Sequence, residues 1–477
     1  PRGLGPAAYG NFSFLTDFFN RIFNFFDLGS SNAFYTKLSQ NPNRYGIIRF
    51  YRIFIGLILL TVTIVTVLIT SSKYKEILWP GQEILYIILA LGFAFITWSN
   101  KISTKMIDAY VLTTKGSILQ MVQKLIQVGL IFAMFALGFF TLFNYFVFQY
   151  VVLLILGVGY IWILLKHNVP YFPNRKLKKF ETKAYIKSFY TYSSPLILFA
   201  LFGLVEGVFD RWLLQTFAGS EQQGYYGLAL RITALCLLFS KAMMPLIMRE
   251  FAIAHSNNDK DKIKVTYLKY VPVFFFLVAF ISIFISINAD TVSVLVGGNS
   301  FKYASLAIMI MALYPIHQTL GQFNGTFFLG TSNTRLYSKI GITFMIIGLP
   351  ITYIMIAPLN LFGLNLGSTG LAIKMFMLNL IGVNVELWFI AKLLNFSFIK
   401  LLLMQIKAFV ILVPIAYIAY IIGDKATDAI FWEFIISGLF YSVAISLIVF
   451  LFPQLVNTSH KRIFNIVTDL LKRIKIH

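Results

Sequence analysis

The sequence predicts an all-α polytopic membrane protein, and three observations lead there. Hydrophobic residues make up 58% of the 477-residue chain and charged residues only 12%, with a mean hydropathy of +0.78. Soluble domains carry about 25% charged residues. Apolar runs near the ~20 residues that a helix needs to cross a bilayer recur along the whole chain. Lys and Arg gather in alternate loops between those runs, as they do on the cytoplasmic side of a membrane protein. A transmembrane β-barrel would instead show short alternating strands.

The candidate spans, in order, are 11–36, 47–70, 81–99, 118–142, 146–165, 191–215, 223–248, 268–288, 302–329, 337–357, 367–391, 401–422 and 429–452. The first is the most polar, with Asp17, Arg21 and Asp27 in "TDFFNRIFNFFDLGSSNAF". Joints are marked by Asn41-Pro42-Asn43, Pro80-Gly81, Gly297-Gly298 and Gly367-Ser368, residues that punctuate helices.

One set of alternate loops carries Lys37, Arg44, Arg49 and Arg52, then Lys101, Lys105 and Lys115, then the basic stretch from Lys166 to Lys187. It continues through Arg249 and Lys260–Lys269, Arg335 and Lys339, and Lys392 and Lys400 to the basic C-terminus. The opposite set holds only Arg2, Lys73, Lys75, Lys302 and Lys425. The expectation is a cytoplasmic C-terminus and a chain that begins outside. Thirteen spans then require one earlier crossing, so the reading expects a first helix ahead of "PRGLGP" and a fourteen-helix protein.

Five regions follow: an N-terminal helix bundle over 1–165, a basic cytoplasmic linker over 166–190, a C-terminal bundle over 191–392, two additional transmembrane helices over 393–460, and a basic tail over 461–477. In the tail, Ile463, Phe464, Ile466, Val467, Leu470, Leu471 and Ile474 recur at helical spacing, which suits a helix on the anionic leaflet.

A short internal repeat supports two related halves. In "LGPAAYGNFSF" and "FAGSEQQGYYGLAL", Gly5, Gly10 and Phe12 stand against Gly219, Gly224 and Tyr226 at one constant offset. At that offset Asp17 meets Arg231 and Asp27 meets Lys241, so the charges are reversed while the scaffold repeats.

A charge at mid-bilayer costs about 2.5–3.5 kcal/mol even on the lenient insertion scale, so such residues face protein or water. Arg21, Lys124, Arg231 and Lys241 are the candidate cavity cations. Lys124 and Lys241 show no obvious local partner. Arg231 and Lys241, ten residues apart, are expected on one helix face. Asp17, Asp27, Glu206 and Asp210 are candidates for charge balance or proton coupling, and Arg211 for pairing between helices. His317 and Lys374 also lie within spans, while Glu386 and Lys392 are read as snorkelling at a span end.

The net charge is +22. Much of it is topological, and the remainder leaves a cationic interior suited to an anion such as a pyrophosphate. Catalytic signatures are missing. The histidines lack metal-ligand spacing, there is no phosphate-binding lysine loop, and the basic loops are not interleaved with aromatics like a nucleic-acid platform. The single Cys236 excludes an intrachain disulfide. The expectations are no enzyme activity, no metal, no nucleic acid and no cofactor beyond a coupling H+ or Na+.

The motifs "LGPAAYGNFSFLTDFF", "FFDLGSSNAF", "FDRWLLQTFAGSEQQGYYGLALRI" and "GTFFLGTSNTR" resemble Wzx-type polysaccharide flippases of the multidrug/oligosaccharidyl-lipid/polysaccharide (MOP) exporter superfamily. The resemblance covers nearly the whole chain. It implies two pseudo-symmetric six-helix bundles around a central cavity plus two C-terminal helices, here with the first helix missing. It implies movement of undecaprenyl-pyrophosphate-linked oligosaccharide across the bacterial inner membrane by alternating access, for O-antigen or capsular polysaccharide. A polysaccharide polymerase and a chain-length regulator would be partners. A multidrug cation antiporter of the same fold would want an acidic cavity, which the charge balance opposes. A peptidoglycan-precursor flippase would be essential for growth. A membrane glycosyltransferase would need a large outer loop, and the chain has none long enough.

Overall fold

The structure, a computed structural model, describes residues 1–43, 45–174, 177–194 and 197–453. Among these residues every regular element is helical. The helices are α1 (Gly5–Asp27), α2 (Ser30–Gln40), α3 (Tyr45–Thr70), α4 (Tyr74–Leu78), α5 (Ile84–Ala109), α6 (Thr113–Ala136) and α7 (Leu142–Lys166). They continue as α8 (Lys179–Ser193), α9 (Ile197–Cys236), α10 (Leu238–Ser256), α11 (Lys260–Ile287), α12 (Ala289–Gly297) and α13 (Ser305–Gly330). The last four are α14 (Thr334–Ile356), α15 (Gly367–Leu393), α16 (Phe398–Ala426) and α17 (Ile430–Leu451).

Several starts are written locally. Thr141 caps α7 by accepting from the Asn144 N–H at 3.2 Å, and Asp259 caps α11 through the Lys262 N–H at 2.8 Å. Such side chains satisfy amides that have no partner within the helix.

Ten of the described helices are long and apolar enough to cross a membrane, and α9 with α10, bent by 51°, passes as one broken span. Ten of the expected spans correspond to the straight helices one for one. The other three are irregular. The first is interrupted after Asp27, where Leu28 (φ 41°) and Gly29 (φ 73°) are both left-handed before α2 begins. The next two, 191–215 and 223–248, run through α9 and α10, with breaks at Gly219 (φ 80°) and Leu237.

The chain forms two compact units, Gly3–Gly224 and Tyr225 onward with Pro1–Arg2. In the N-terminal unit α5 packs against α1, α2 and α7, and α6 lies on α7. Aromatic edges fill its core. Phe12 meets Tyr145 at 4.8 Å and Phe146 at 5.0 Å, and Phe23 stacks on Trp98 at 5.5 Å. The stretch expected as a linker contains α8, whose Phe189 packs on Tyr51 and Phe50 of α3. In the C-terminal unit α13 is central and packs against α10, α11 and α15, with α16 on α11 and α17 on α16. Outward-facing Leu57, Leu60 and Leu68 of α3 and Leu403, Val410 and Tyr417 of α16 are exposed, as lipid-facing helix surfaces are. The basic tail expected over 461–477 lies outside the described residues.

Candidate functional site

The candidate site grows from two helix faces in the N-terminal unit. On α1, Ser13, Asp17 and Arg21 follow one another at four-residue spacing and so line up on one side. On the first part of α9, Gly207 and Arg211 do the same. The two rows meet. Arg211, only 2% exposed, donates from Nη2 to Ser13 Oγ at 2.6 Å. Its Nε stands 3.7 Å from Asp17 Oδ2, the oxygen that also accepts from Arg21 Nε at 2.8 Å. Gly207 makes the approach possible, because a Cβ there would overlap the Arg21 guanidinium.

Two guanidiniums therefore converge on the Asp17 carboxylate. Arg21 and Asp17 remain about a third exposed, at 34% and 31% of their side chains. Arg211 is the fixed member and Arg21 the reachable one. A planar guanidinium holds phosphate or carboxylate oxygens through two parallel bonds, so the arrangement is chemically an anion site.

The repeated glycines explain how α1 and α9 come so close. A Cβ on Gly10 would strike the Ser220 carbonyl, and a Cβ on Gly224 would strike the Pro6 carbonyl. Ser220 is the counterpart of Pro6 at the repeat offset, so the two contacts are reciprocal. Gly5 and Gly219, also counterparts, both adopt positive φ, 75° and 80°, a region that glycine enters without strain. Nearby, Gln215 Nε2 donates to the Pro80 carbonyl at 3.2 Å, and Gln82 Nε2 to Asn11 Oδ1 at 2.9 Å, fixing the loop before α5 onto this end.

Asp27 belongs to a different constellation. It is 3% exposed and accepts from the Ser31 N–H at 3.0 Å, Ser31 Oγ at 2.9 Å, Ser30 Oγ at 3.2 Å and Tyr51 Oη at 3.3 Å. Lys101 Nζ completes the set at 3.0 Å. Its carboxylate closes the break between α1 and α2 and ties both to α3 and α5. Glu206 is half-buried and Asp210 buried on α9.

The remaining expected cations are not part of the row on α1 and α9. Lys124 is exposed on α6 beside exposed Met121, Leu125 and Val128, and it does have a local partner, donating to Gln127 Oε1 at 3.0 Å. Arg231 and Lys241 are both exposed. They were expected on one helix, but Arg231 lies on α9 and Lys241 on α10, with a 51° bend between the two. Glu386 corrects another expectation. It is buried on α15, whereas its neighbour Lys392 does snorkel, with Nζ 5.7 Å from the Trp388 ring centroid. Arg211 was visible in the sequence only as a helix-pairing candidate. The signal that marks it is the four-residue spacing from Gly207, a gap opposite a charged helix.

Fold and site together define a polytopic, all-α membrane protein of two helical bundles, with a polar row of Ser13, Asp17, Arg21 and Arg211 in the N-terminal unit. Residues 1–249 match the family described as polysaccharide biosynthesis protein, and the chain belongs to that family. Solved structures share the fold. One is the lipid II flippase MurJ in an inward closed conformation, at 15% identity and a TM-score of 0.64, with 92% of this chain and 93% of that one covered. Another is a multidrug resistance MATE family transporter of the MOP superfamily, inward-facing, at 16% identity and 0.63, covering 83% and 92%. An outward-facing MATE family structure aligns at 18% identity and 0.53, covering 82% and 89%. No curated protein matches the chain significantly.

Proposed function

We propose that this protein is a flippase that carries a lipid-linked oligosaccharide repeat unit across the bacterial inner membrane by alternating access. In this reading it is Wzx-like, its substrate is undecaprenyl-pyrophosphate-linked, and its product feeds O-antigen or capsular polysaccharide. The observation that carries the reading is the pairing of buried Arg211 and partly exposed Arg21 about the carboxylate of Asp17, in a chain of the polysaccharide biosynthesis family. Arg21 would take the pyrophosphate oxygens while Arg211, fixed by Ser13, holds Asp17 in place. Asp17 would release Arg21 to the ligand and recover it afterwards, so the site is never left as a bare buried charge.

Arg231 and Lys241 are proposed to add positive field for anionic sugars, and Glu206 and Asp210 to balance it. The lipid tail stays in the bilayer, where its transfer out of hydrocarbon would cost most. A coupling H+ or Na+ drives the cycle, the C-terminus is cytoplasmic, and a polymerase with a chain-length regulator takes the product.

Deleting the gene in its host and restoring it tests the reading. Loss of surface polysaccharide, recovered by the parent chain and not by Arg211→Gln at equal expression, is expected. Intact surface polysaccharide in the deletion strain contradicts the reading. Growth arrest of that strain would favour a peptidoglycan precursor as substrate, and resistance to cationic drugs on overexpression would favour an antiporter.

A further inference from the structure

The C-terminal unit holds a carboxylate that the row on α1 and α9 does not involve. Glu386 lies on α15 about two turns before its end at Leu393, and it is 8% exposed. Its Oε2 is buried without a hydrogen-bond partner, and among the described residues it makes no ion pair. Moving a carboxylate anion out of water costs several kcal/mol when no partner compensates. Ionisable groups in such places in membrane proteins mark proton or ion pathways.

The surroundings are built rather than accidental. From α13, Asn324 stands against the carboxyl group. Asn324 is itself clamped, accepting from Tyr267 Oη of α11 at 2.5 Å and donating to the Val383 carbonyl of α15 at 3.0 Å. The ionisable groups that bear on Glu386 are the hydroxyls of Tyr267 and of Tyr337 from α14. On its own helix Lys392 is exposed and turned to Trp388. From α16, Gln405 is occupied with Asn384 at 2.9 Å. Lys264 Nζ reaches the Asn395 carbonyl at 2.7 Å, joining the start of α11 to the end of α15 and marking the nearby face as the basic one.

We propose that Glu386 is a proton-binding site of the C-terminal unit, loaded and emptied from the basic end of α11, α13, α14 and α15. Protonated, the carboxyl group is neutral and can donate its O–H to the amide or phenol oxygens beside it. Deprotonated, it places an uncompensated anion among four helices, which drives them to rearrange and admit water. A metal cation is a poorer occupant. The oxygen set is one carboxylate, one amide oxygen already bonded to Tyr267 and two phenols, and the described residues hold no group of three His, Cys, Asp or Glu side chains for a metal. This site rests on the packing of one unit and not on which lipid is carried.

The test uses the full-length protein in lipid nanodiscs, with infrared difference spectra recorded across pH steps for the parent, Glu386→Gln and Tyr267→Phe. The expected result is a protonated-carboxyl band in the parent that vanishes at high pH and is absent from Glu386→Gln. The same band should shift in its pH response in Tyr267→Phe, which keeps the ring and its packing. Spectra identical in parent and Glu386→Gln overturn the proposal. So does a band that responds to Na+ at constant pH, or one unchanged in Tyr267→Phe while Glu386→Gln fails to fold.

Discussion

Replacing Arg211 by Gln should remove more than one bond, and the size of the loss can be worked from the geometry. The 2.6 Å contact to Ser13 Oγ is a charge-assisted hydrogen bond in a nearly dry site, and such bonds contribute about 1.5–3 kcal/mol. The 3.7 Å approach to Asp17 adds less, since that carboxylate is 31% exposed and partly screened. A stability loss of about 2–3 kcal/mol is therefore expected on these magnitudes. Ser13→Ala should cost about 1.5 kcal/mol, the lower end for a hydrogen bond to a charged group. The decisive quantity is the coupling between them, measured by thermal and denaturant unfolding of both single variants and the double variant in one detergent. A coupling of about 1–2 kcal/mol is predicted. Additivity within about 0.5 kcal/mol, the range for independent sites, would show that the two side chains do not act as a unit and would refute the row as described. Arg211→Lys should recover the charge but little of the coupling, because an ammonium cannot reproduce the planar fork.

Other perturbations follow from the same geometry. Gly10→Ala and Gly224→Ala each force a methyl into a backbone carbonyl and should destabilise the unit by about 1–3 kcal/mol, read as a fall in Tm. Gly207→Ala displaces the Arg21 guanidinium and should reduce surface polysaccharide more than it reduces Tm. Asp27→Asn keeps the shape of its hydrogen-bonding group but loses the Lys101 pair. It should unfold at a lower temperature than the parent and a higher one than Asp27→Ala, which strands five donors. Lys124→Ala, on an exposed apolar face, should leave both Tm and surface polysaccharide unchanged.

Hydropathy and loop charge were enough to read most of the fold, because a spanning helix has one length and one composition. Ten straight helices correspond to ten apolar runs. The irregular helices were less legible for physical reasons. The break after Asp27 depends on two left-handed residues, one of them Leu28, whose side chain gives no hint of that conformation. The separation of Arg231 from Lys241 depends on a bend at Leu237, an ordinary helix former. The glycine repeat was visible, but its meaning was not. Only the structure shows that Gly10 faces the Ser220 carbonyl and Gly224 the Pro6 carbonyl, a reciprocal pair at the repeat offset.

The site was half legible. Asp17 and Arg21 announced themselves as charges at helical spacing inside an apolar run. Arg211 sat beside Asp210 in "FDRWLL", and sequence could not decide which of the two turned toward α1. Glu386 was read as snorkelling because it lies near a span end. That inference fails because depth along a helix does not say which face is buried, and Tyr267 and Asn324 close over it from helices far away in sequence.

The most direct test of the account is lipid translocation in reconstituted vesicles. A short-chain polyprenyl-pyrophosphate oligosaccharide, fluorescent on its sugar, is loaded on one leaflet, and its appearance on the other is followed by quenching. The parent protein should accelerate translocation over empty vesicles. Arg211→Gln, still folded at the assay temperature, should slow it by about tenfold or more, since 1.4 kcal/mol of lost interaction is a factor of ten. A monophosphate analogue should move more slowly than the pyrophosphate. Parent vesicles no faster than empty ones, or Arg211→Gln as fast as the parent, would contradict the proposal that the Arg21–Arg211 row carries a pyrophosphate-linked glycan.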